Sequence, residues 1–475
     1  MMKRFLRSAL ALAITMLFSI PTFAVNSWAE DQQGQTQVAK SPQESQIEQL
    51  KQEIDAIQKQ NQKQIEELQK RIQDLEAKKA PAPTAAPSGQ AFLKNFEAGY
   101  KEGFYLKTTD NRFSIKFNAL VQVFMPQIQD FSDNTNKSQD ENIDFQVRRM
   151  RLIFSGNGFY PWMTYYVQVG ADQGGSFQLF DAYMDWGYKK EATPRLGQYK
   201  VPFNREELTS DPLLEFAERS IVNDQFRLER DIGASLYGTL FDKTYAMLEY
   251  YGGVFNGSGR NSPGGINGTN LLYAGRIMWE PLGKYPYVQG DLGPGLEVDP
   301  TKPLFALAAA FGYFNNFNPL TENNANRQNL VNTILAINKN AQVADVTQFT
   351  ADLAFKYYGF GFEAEYDLER IYNIVSVAPT TGAQTEQGLR LQLGYIFLPT
   401  HLELAFRYAI ADNFCQNNIA KVGCQREQEF TPGLNYYFWA HRLKVMLDYS
   451  YLRQNNPSGS PIFDNRFIIQ SQIYF

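Results

Sequence analysis

Three arginines stand close together in the stretch QVRRMRLIF, at Arg148, Arg149 and Arg151. A guanidinium group is planar, permanently charged and rich in N–H donors, so it pairs with carboxylates and with oxyanions such as phosphate. Because side chains on a β-strand alternate between two faces, Arg149 and Arg151 share one face while Met150 and Leu152 share the other. The pattern predicts a strand with one apolar face and one wet face that binds anions or pairs with acidic groups.

The alternation changes phase within this stretch. Phe145 and Val147 are apolar, yet they have the same parity as Arg149 rather than that of Met150. An extra residue in a strand, a β-bulge, shifts the phase in this way. We therefore expect Arg148 or Arg149 to lie at a bulge or at the end of the apolar zone, since an unpaired arginine in lipid is costly.

The alternating pattern runs from about residue 112 to the C-terminus, as in FSIKFNALVQVFM and RFIIQSQIYF. The mean hydropathy is −0.39, and past the N-terminus no apolar run is long enough for a membrane helix. Alternating segments of about ten residues, joined by alternately short and long connections, are typical of a transmembrane β-barrel. The predicted fold class is therefore all-β, an antiparallel 16-stranded transmembrane β-barrel over residues 98–475, preceded by a short periplasmic α-helical coiled coil.

The strand starts follow from the connections between the alternating segments. They are predicted near residues 112, 145, 160, 178, 193, 231, 243, 271, 303, 347, 361, 388, 401, 430, 442 and 464, with two strands more or fewer as the alternatives. An even number is expected of a single-chain barrel whose two ends lie on one side. The connection at residues 281–302 is long for a turn on that side.

The N-terminus has the layout of a secretory signal peptide. A basic head precedes a short apolar stretch at residues 10–20, and small residues follow it. Such a segment is removed on export. Residues 1–29 are predicted to be the signal, with cleavage after Ala29 or, alternatively, after Ala24.

Residues 30–79 are predicted to be a periplasmic coiled-coil segment, and residues 80–97 a Pro/Ala-rich linker. Apolar residues hold heptad positions on both sides of a four-residue stutter near Asn61, at Ile47, Leu50, Ile54, Ile57, Ile65, Leu68, Ile72 and Leu75. Association buries such a stripe, but the pattern leaves the number of helices open. A solvated spacer helix is the alternative.

Composition and single residues exclude several classes of protein. The formal net charge of −5 argues against a nucleic-acid binder.

Cys415 and Cys424 either form a disulfide or remain free thiols, and their spacing suits no zinc site. No cofactor or metal is predicted. His401 and His441 have no serine near them in the sequence, so a membrane hydrolase is not favoured.

Four segments carry a resemblance to a known family: FQVRRMRLIFSGNGF, FQLFDAYMDWGYKKEATPRLGQYKVPFNREELTS, FAERSIVNDQFRLERDIGASLYG and YYGGVFNGSG. Together they resemble the phosphate-selective porins O and P over about residues 98–475. The resemblance implies a homotrimer of barrels in the outer membrane of a Gram-negative bacterium. It also implies that the loop after the fifth strand, residues 201–229, folds inward as a constriction. Alternate apolar residues ending at Phe475 resemble the C-terminal signal that the barrel assembly machinery reads.

The resemblance also assigns an anion site. In phosphate-binding members, an arginine pair on the wall, an aspartate and loop hydroxyl and basic groups hold the ion. The matching positions here are Arg148, Arg149, Asp172, Thr209, Ser210 and Arg219, with Arg151 beside them. Further basic residues in inward phase are Arg276, Lys356, Arg390, Arg407 and Lys444.

Acidic residues depart from this pattern. The loop carries Glu206, Glu207, Asp211, Glu215 and Glu218, and one strand turns Glu363, Glu365, Asp367 and Glu369 inward. A lumen of mixed sign leaves two alternatives open. One is a diffusion channel for small hydrophilic solutes that prefers anions such as phosphate. The other is a general or cation-leaning porin whose arginines pair with Asp172, Asp181 and the loop acids, with the coiled coil serving trimerisation or peptidoglycan contact.

Overall fold

The computed structural model describes residues 95–132, 141–262, 271–290, 301–319, 327–376, 383–397, 401–413, 425–455 and 461–475, and scattered residues between 59 and 71. The chain divides into two compact units, residues 1–86 and 87–475. In the first, the described residues are helical and exposed, and Arg71 pairs with Glu67 at 3.3 Å across one helical turn. The heptad positions, the signal peptide and both cysteines lie outside the described residues, so those predictions stay predictions.

A closed antiparallel barrel forms the second unit. Its sixteen strands are β3 (Ser114–Ser132), β4 (Glu141–Asn157), β5 (Met163–Asp172), β6 (Gln178–Trp186), β7 (Thr193–Lys200), β8 (Arg230–Leu240), β9 (Leu248–Phe255), β10 (Leu272–Trp279), β11 (Leu304–Phe317), β12 (Ala341–Tyr357), β13 (Phe360–Ser376), β14 (Gln384–Phe397), β15 (Leu402–Asn413), β16 (Gln425–Trp439), β17 (Leu443–Asn455) and β18 (Ile462–Tyr474). Each strand pairs with the next, and β18 pairs with β3, which closes the barrel. The predicted strand number is confirmed.

A hairpin precedes the barrel and was not predicted. Strand β1 (Phe96–Tyr100) pairs with β2 (Phe104–Thr108), and β2 continues along the first residues of β3. Strand β18 reaches only to Leu120 on the same edge of β3. The hairpin therefore uses the part of that edge that β18 leaves open. We call the end of the barrel at which β3 begins and β18 ends the turn end, and the opposite end the loop end.

Alternation sorts the side chains of each strand between the two sides of the wall. On β14, Leu391, Leu393 and Tyr395 point outwards and are exposed, whereas Arg390 and Gln392 point inwards and are buried. An apolar outer band is what a lipid-facing barrel needs. Among the described residues, no helix is long and apolar enough to cross a bilayer.

Three segments fold into or over the lumen. The loop at residues 201–229 carries the short helices α1 (Arg205–Leu208) and α2 (Ile221–Phe226), and a single 3-10 turn lies between them. Ser220 caps α2 by accepting from the Asn223 amide at 3.1 Å, and its hydroxyl donates to Glu206. This contact ties the two helices together. We call residues 201–229 the constriction loop.

A third helix covers part of the loop end. Helix α3 (Gln328–Ile337) packs Leu330, Val331 and Ile334 against an apolar cluster that contains Val201 and Phe203 of the constriction loop. Arg327, just before the helix, pairs with Asp231 at 2.7 Å.

From the turn end, residues 285–290 enter the lumen. The Gln289 amide donates to the Leu213 carbonyl at 2.9 Å, and the Gln289 carbonyl lies 3.0 Å from Nε2 of His441. Residues 285–290, part of the long connection at residues 281–302, thus contact the constriction loop from the turn end.

Candidate functional site

A β-bulge brings two consecutive arginines to the lumen side of β4. Gln122 on β3 pairs with Arg149, but Val123 pairs with Val147, so Arg148 is the extra residue. The register shift turns Val147 outwards, where it is half exposed. Because the bulge breaks the alternation, both guanidinium groups reach the same carboxylate on the constriction loop.

That carboxylate is Glu218. Arg148 donates to it from Nε and from Nη2, the latter at 2.9 Å, and Arg149 Nη2 donates to Oε2 at 2.9 Å. Arg149 also donates to the Ala217 carbonyl at 3.2 Å. The wall arginines therefore hold the loop by charge-assisted hydrogen bonds.

Arg151 lies next to this pair. Its Nη2 is 2.5 Å from Oδ1 of Asp172 and 3.6 Å from Asp211 of the constriction loop. Its guanidinium stacks on the Phe180 ring, 3.9 Å from the centroid. Arg151 and Asp172, expected together at the anion site, are thus brought into direct contact.

Three predicted loop residues have different surroundings. Arg219 donates to Asp211 at 2.6 Å and to the Thr209 carbonyl at 2.8 Å, so it ties the loop to itself. The Thr209 side chain is buried, and its hydroxyl donates to the Arg205 carbonyl at 3.1 Å. Ser210 is exposed and lines a cavity. Of the two hydroxyls assigned to the anion, only that of Ser210 faces open space.

Four basic residues that were expected to line the lumen do not border open space. Arg276, Lys356, Arg390 and Lys444 are at most 1% exposed, because the constriction loop and residues 285–290 cover them. Arg276 donates to the Phe203 carbonyl at 2.6 Å and pairs with Asp352 at 2.7 Å.

The other three basic residues also contact the constriction loop or residues 285–290. Arg390 pairs with Glu363 at 3.0 Å and Glu206 at 3.3 Å. Lys356 lies beside the Tyr285 ring, and Lys444 donates to the Leu214 carbonyl. Their placement as pore-lining groups was wrong, since strand phase does not show what packs on a face.

Arg407 both contacts the constriction loop and borders open space. It pairs with Glu429 at 2.5 Å and donates to the Glu218 carbonyl at 2.9 Å, so it also fastens the loop. It is only 3% exposed, yet it lines a cavity of about 330 Å³ that Arg148 and Glu218 also border.

The acidic strand is covered as well. Glu363, Glu365, Asp367 and Glu369 of β13 point inwards but are at most 4% exposed. Glu365 accepts from the Arg205 amide at 2.6 Å, at the start of α1. These acids were expected to face the lumen opposite the arginines, and the constriction loop instead separates them from the open cavities.

Two loop carboxyls have opposite electrostatic surroundings. Burial raises the pKa of Glu218, but Arg149 and Arg148 outweigh it and lower the value to about 2. Burial and the neighbouring Glu403 carboxyl raise the pKa of Glu215 well above its ordinary range. Glu218 is therefore charged at neutral pH, whereas Glu215 is favoured in its protonated form.

Open space remains on two sides of the constriction loop. At the loop end, a cavity of about 310 Å³ is lined by Arg148, Arg149, Glu218, Arg219, Asp224, Arg227 and Asn329. Four arginines thus face two carboxylates. We call this space the arginine cavity. Arg227 was missed in the sequence, although it lies in the same loop segment that the motifs single out.

A second cavity lies on the turn-end side of the loop. Its volume is about 310 Å³, and its lining includes Arg195, Lys200, Arg230 and several tyrosines of β5 to β9. Sequence reasoning missed these residues because strands β7 and β9 are only eight residues long. The inward phase of Arg195, Tyr199 and Tyr251 on their strands could have indicated them.

Comparison with known proteins identifies one matching family and solved structures with a similar fold. A family model described as phosphate-selective porin O and P matches residues 125–461. The anion-selective porin from Comamonas acidovorans is similar with a TM-score of 0.51 and 10% identity, over 76% of this chain and 100% of that chain. The outer membrane channel DcaP of Acinetobacter baumannii has a TM-score of 0.49 and 12% identity, over 78% and 99% of the two chains. No curated protein matches the chain. At this identity the similarity shows the fold, a porin barrel.

Proposed function

Because the chain belongs to the family of phosphate-selective porins O and P, we propose that its outer-membrane channel passes small hydrophilic solutes with a preference for anions, phosphate among them. The observation that carries the proposal is the arginine cavity, in which four arginines face two carboxylates. Guanidinium forks replace the hydration of an oxyanion with directed donors, and several moderate contacts still let the ion leave. Family and fold support a pore rather than an enzyme.

Anion binding and loop fastening share the same arginines. Arg148 and Arg149 hold Glu218, but Arg227 lies outside that contact, paired with Asp224 at 3.0 Å and still 27% exposed. Because Arg148 and Arg149 share the single carboxylate of Glu218, one positive charge of this contact stays unbalanced after the loop is fastened. It favours entry of anions from the loop end.

A general or cation-leaning porin is the second candidate. The hydrogen bonds from Arg148 and Arg149 to Glu218 support it, because each of these guanidiniums is already partly neutralised. In that case the arginines keep the constriction in place and select nothing.

The zero-current potential of the purified protein in planar bilayers under a KCl gradient distinguishes an anion-preferring channel from a general or cation-leaning porin. Anion preference gives a potential of chloride sign that shrinks in Arg148→Ala and falls further on phosphate addition. The matched control is Arg112→Ala, which removes an exposed arginine at the turn end. A potential near zero or of potassium sign in the unmodified protein would overturn the proposal in favour of the second candidate.

The N-terminal segment has a separate part in the proposal. A coiled coil at residues 30–79 would hold a homotrimer together and stand off the membrane into the periplasm, within reach of peptidoglycan. Deleting residues 45–79 should weaken trimers in detergent while single-channel conductance stays the same. Loss of conductance would instead make this segment part of the pore.

A further inference from the structure

The cavity on the turn-end side of the constriction loop has a lining unlike that of the arginine cavity. Five tyrosines face it, and we call it the tyrosine chamber: Tyr166, Tyr183, Tyr199, Tyr251 and Tyr287. Pro202, Leu208 and Ser210 of the constriction loop line its other side. The lining thus combines five aromatic rings with polar and charged side chains.

The rings are held in fixed orientations. Tyr166 and Tyr183 stack with centroids 5.3 Å apart and an interplanar angle of 14°, and Tyr199 meets Tyr183 edge-on at 5.7 Å. Within the described part of the chain, the hydroxyls of Tyr183 and Tyr251 make no hydrogen bond. Tyr183 lies between the Tyr166 ring and the Arg195 guanidinium, and Tyr251 stacks on Tyr237. These rings therefore offer the chamber their apolar edges and their hydroxyl groups.

The charged groups of the chamber are paired. Arg195 donates to Asp185 at 2.7 and 2.8 Å, and its guanidinium lies 4.0 Å from the Tyr183 ring. Arg230 donates to Asp181 at 3.0 and 3.1 Å.

Lys200 is also paired, since it lies 3.7 Å from the Glu207 carboxylate and donates to the carbonyls of Glu207 and Thr209. Unlike the arginine cavity, this space therefore offers donors and acceptors with little net charge.

We propose that the tyrosine chamber is a weak binding subsite for a neutral sugar ring. The C–H groups of a pyranose pack against the tyrosine ring edges by dispersion and apolar burial, while its hydroxyls bond to tyrosine hydroxyls and paired charges. A volume of about 310 Å³ is within the range of small-molecule pockets. The inference goes beyond the anion preference and rests only on the chamber being part of the open channel.

Glucose and sorbitol form a matched pair of probes, since one is a ring and the other an open chain of similar size. We expect glucose to reduce the ion current of the purified protein in planar bilayers with saturation, and sorbitol to reduce it in proportion to concentration only. In Tyr183→Leu and Tyr251→Leu, the half-saturating glucose concentration should rise about fivefold to tenfold, the loss expected for one aromatic contact.

Tyr250→Leu is the control, because Tyr250 precedes Tyr251 and points to the outer face of the wall. Tyr251→Phe keeps the ring and removes only the hydroxyl, so it should give a smaller shift and remains informative if the leucine variants do not fold. Equal effects of glucose and sorbitol, or unchanged saturation in all chamber variants, would refute the subsite.

Benzoate is the third probe. Saturating block by benzoate without block by glucose would overturn the proposal and make the chamber a site for aromatic anions. A chloride-sign potential without glucose saturation would refute the subsite and leave the proposed function standing. Glucose saturation together with a potassium-sign potential would support the subsite and refute the proposed anion preference.

Discussion

The Nη2 atom of Arg149 lies 2.9 Å from Oε2 of Glu218. One partner belongs to the barrel wall and the other to the constriction loop, so this contact joins the rigid part of the protein to the part that narrows the channel. A charge-assisted hydrogen bond between groups that are 5% and 30% exposed is stronger than a surface ion pair. The same contact lowers the positive charge of the arginine cavity, so the fastening of the loop also sets the charge that this cavity presents.

Glu218→Gln should strengthen the chloride preference. The substitution leaves Asp224 as the one carboxylate facing the four arginines of the arginine cavity. The zero-current potential under a KCl gradient should move further towards chloride, and current noise should increase because the loop loses its anchor. Glu97→Gln, at an exposed site on β1, is the charge-matched control. A potential equal to that of the unmodified protein would contradict the placement of Glu218 on the solute path.

Anion preference should rise in two steps as the pH falls from 8. Burial raises the pKa of Asp224, the second carboxylate of the arginine cavity, to about 6, so the loss of its charge gives the first step near pH 6. The wall arginines lower the pKa of Glu218 to about 2, so its charge persists until strongly acidic pH. Below about pH 3 the Glu218 carboxylate begins to be protonated, and the chloride preference should rise again. Zero-current potentials measured from pH 8 to pH 2.5 check this. A single rise centred near pH 4, with no step near pH 6, would show that both carboxyls have ordinary pKa values.

Glu218 and Glu215 should have opposite effects on stability. The pKa of Glu218 is lower in the folded protein than the value of about 4.3 in an unfolded chain. Its carboxylate therefore stabilises the fold above about pH 4.3, and this contribution is lost as the pH falls towards 2. Glu218→Gln should lower the thermal unfolding temperature at pH 7.

For Glu215 the sign is reversed. Burial and Glu403 raise its pKa, so the folded protein binds more protons than the unfolded chain and stability falls as the pH rises above about 4.3. Glu215→Gln removes this dependence, and it should raise the unfolding temperature at pH 8 with no gain at pH 4. Circular dichroism melts of both glutamine variants test the pair. A lower unfolding temperature for Glu215→Gln at pH 8 would show that the carboxyl is ionised and stabilising.

Asp352→Asn should release the start of the constriction loop. Asp352 is fully buried between Arg205 at 2.6 Å and Arg276 at 2.7 Å. Removing a buried charge from between two arginines costs about 3–5 kcal/mol. We expect a higher single-channel conductance and a lower unfolding temperature. Asp345→Asn, on the same strand but partly exposed, should change neither. Unchanged conductance in Asp352→Asn would mean that other contacts hold the loop.

The sequence by itself determined the wall of the barrel. Period-two alternation separates inner from outer faces, and turn residues mark the strand ends, so sixteen strands could be counted before the structure was known. The broken phase at Val147 indicated a bulge, or the end of the apolar zone, at Arg148 or Arg149, and the pairing with β3 makes Arg148 the extra residue.

Only the tertiary structure decided which inner residues meet solute. Arg276, Arg390 and Glu365 have the same inward phase as Arg149, yet the constriction loop and residues 285–290 cover them. Alternation is a local property, because it depends only on the backbone of one strand. The packing of a loop across the lumen depends on contacts between residues far apart in the chain, such as that of Arg205 with Asp352. No local pattern encodes those contacts.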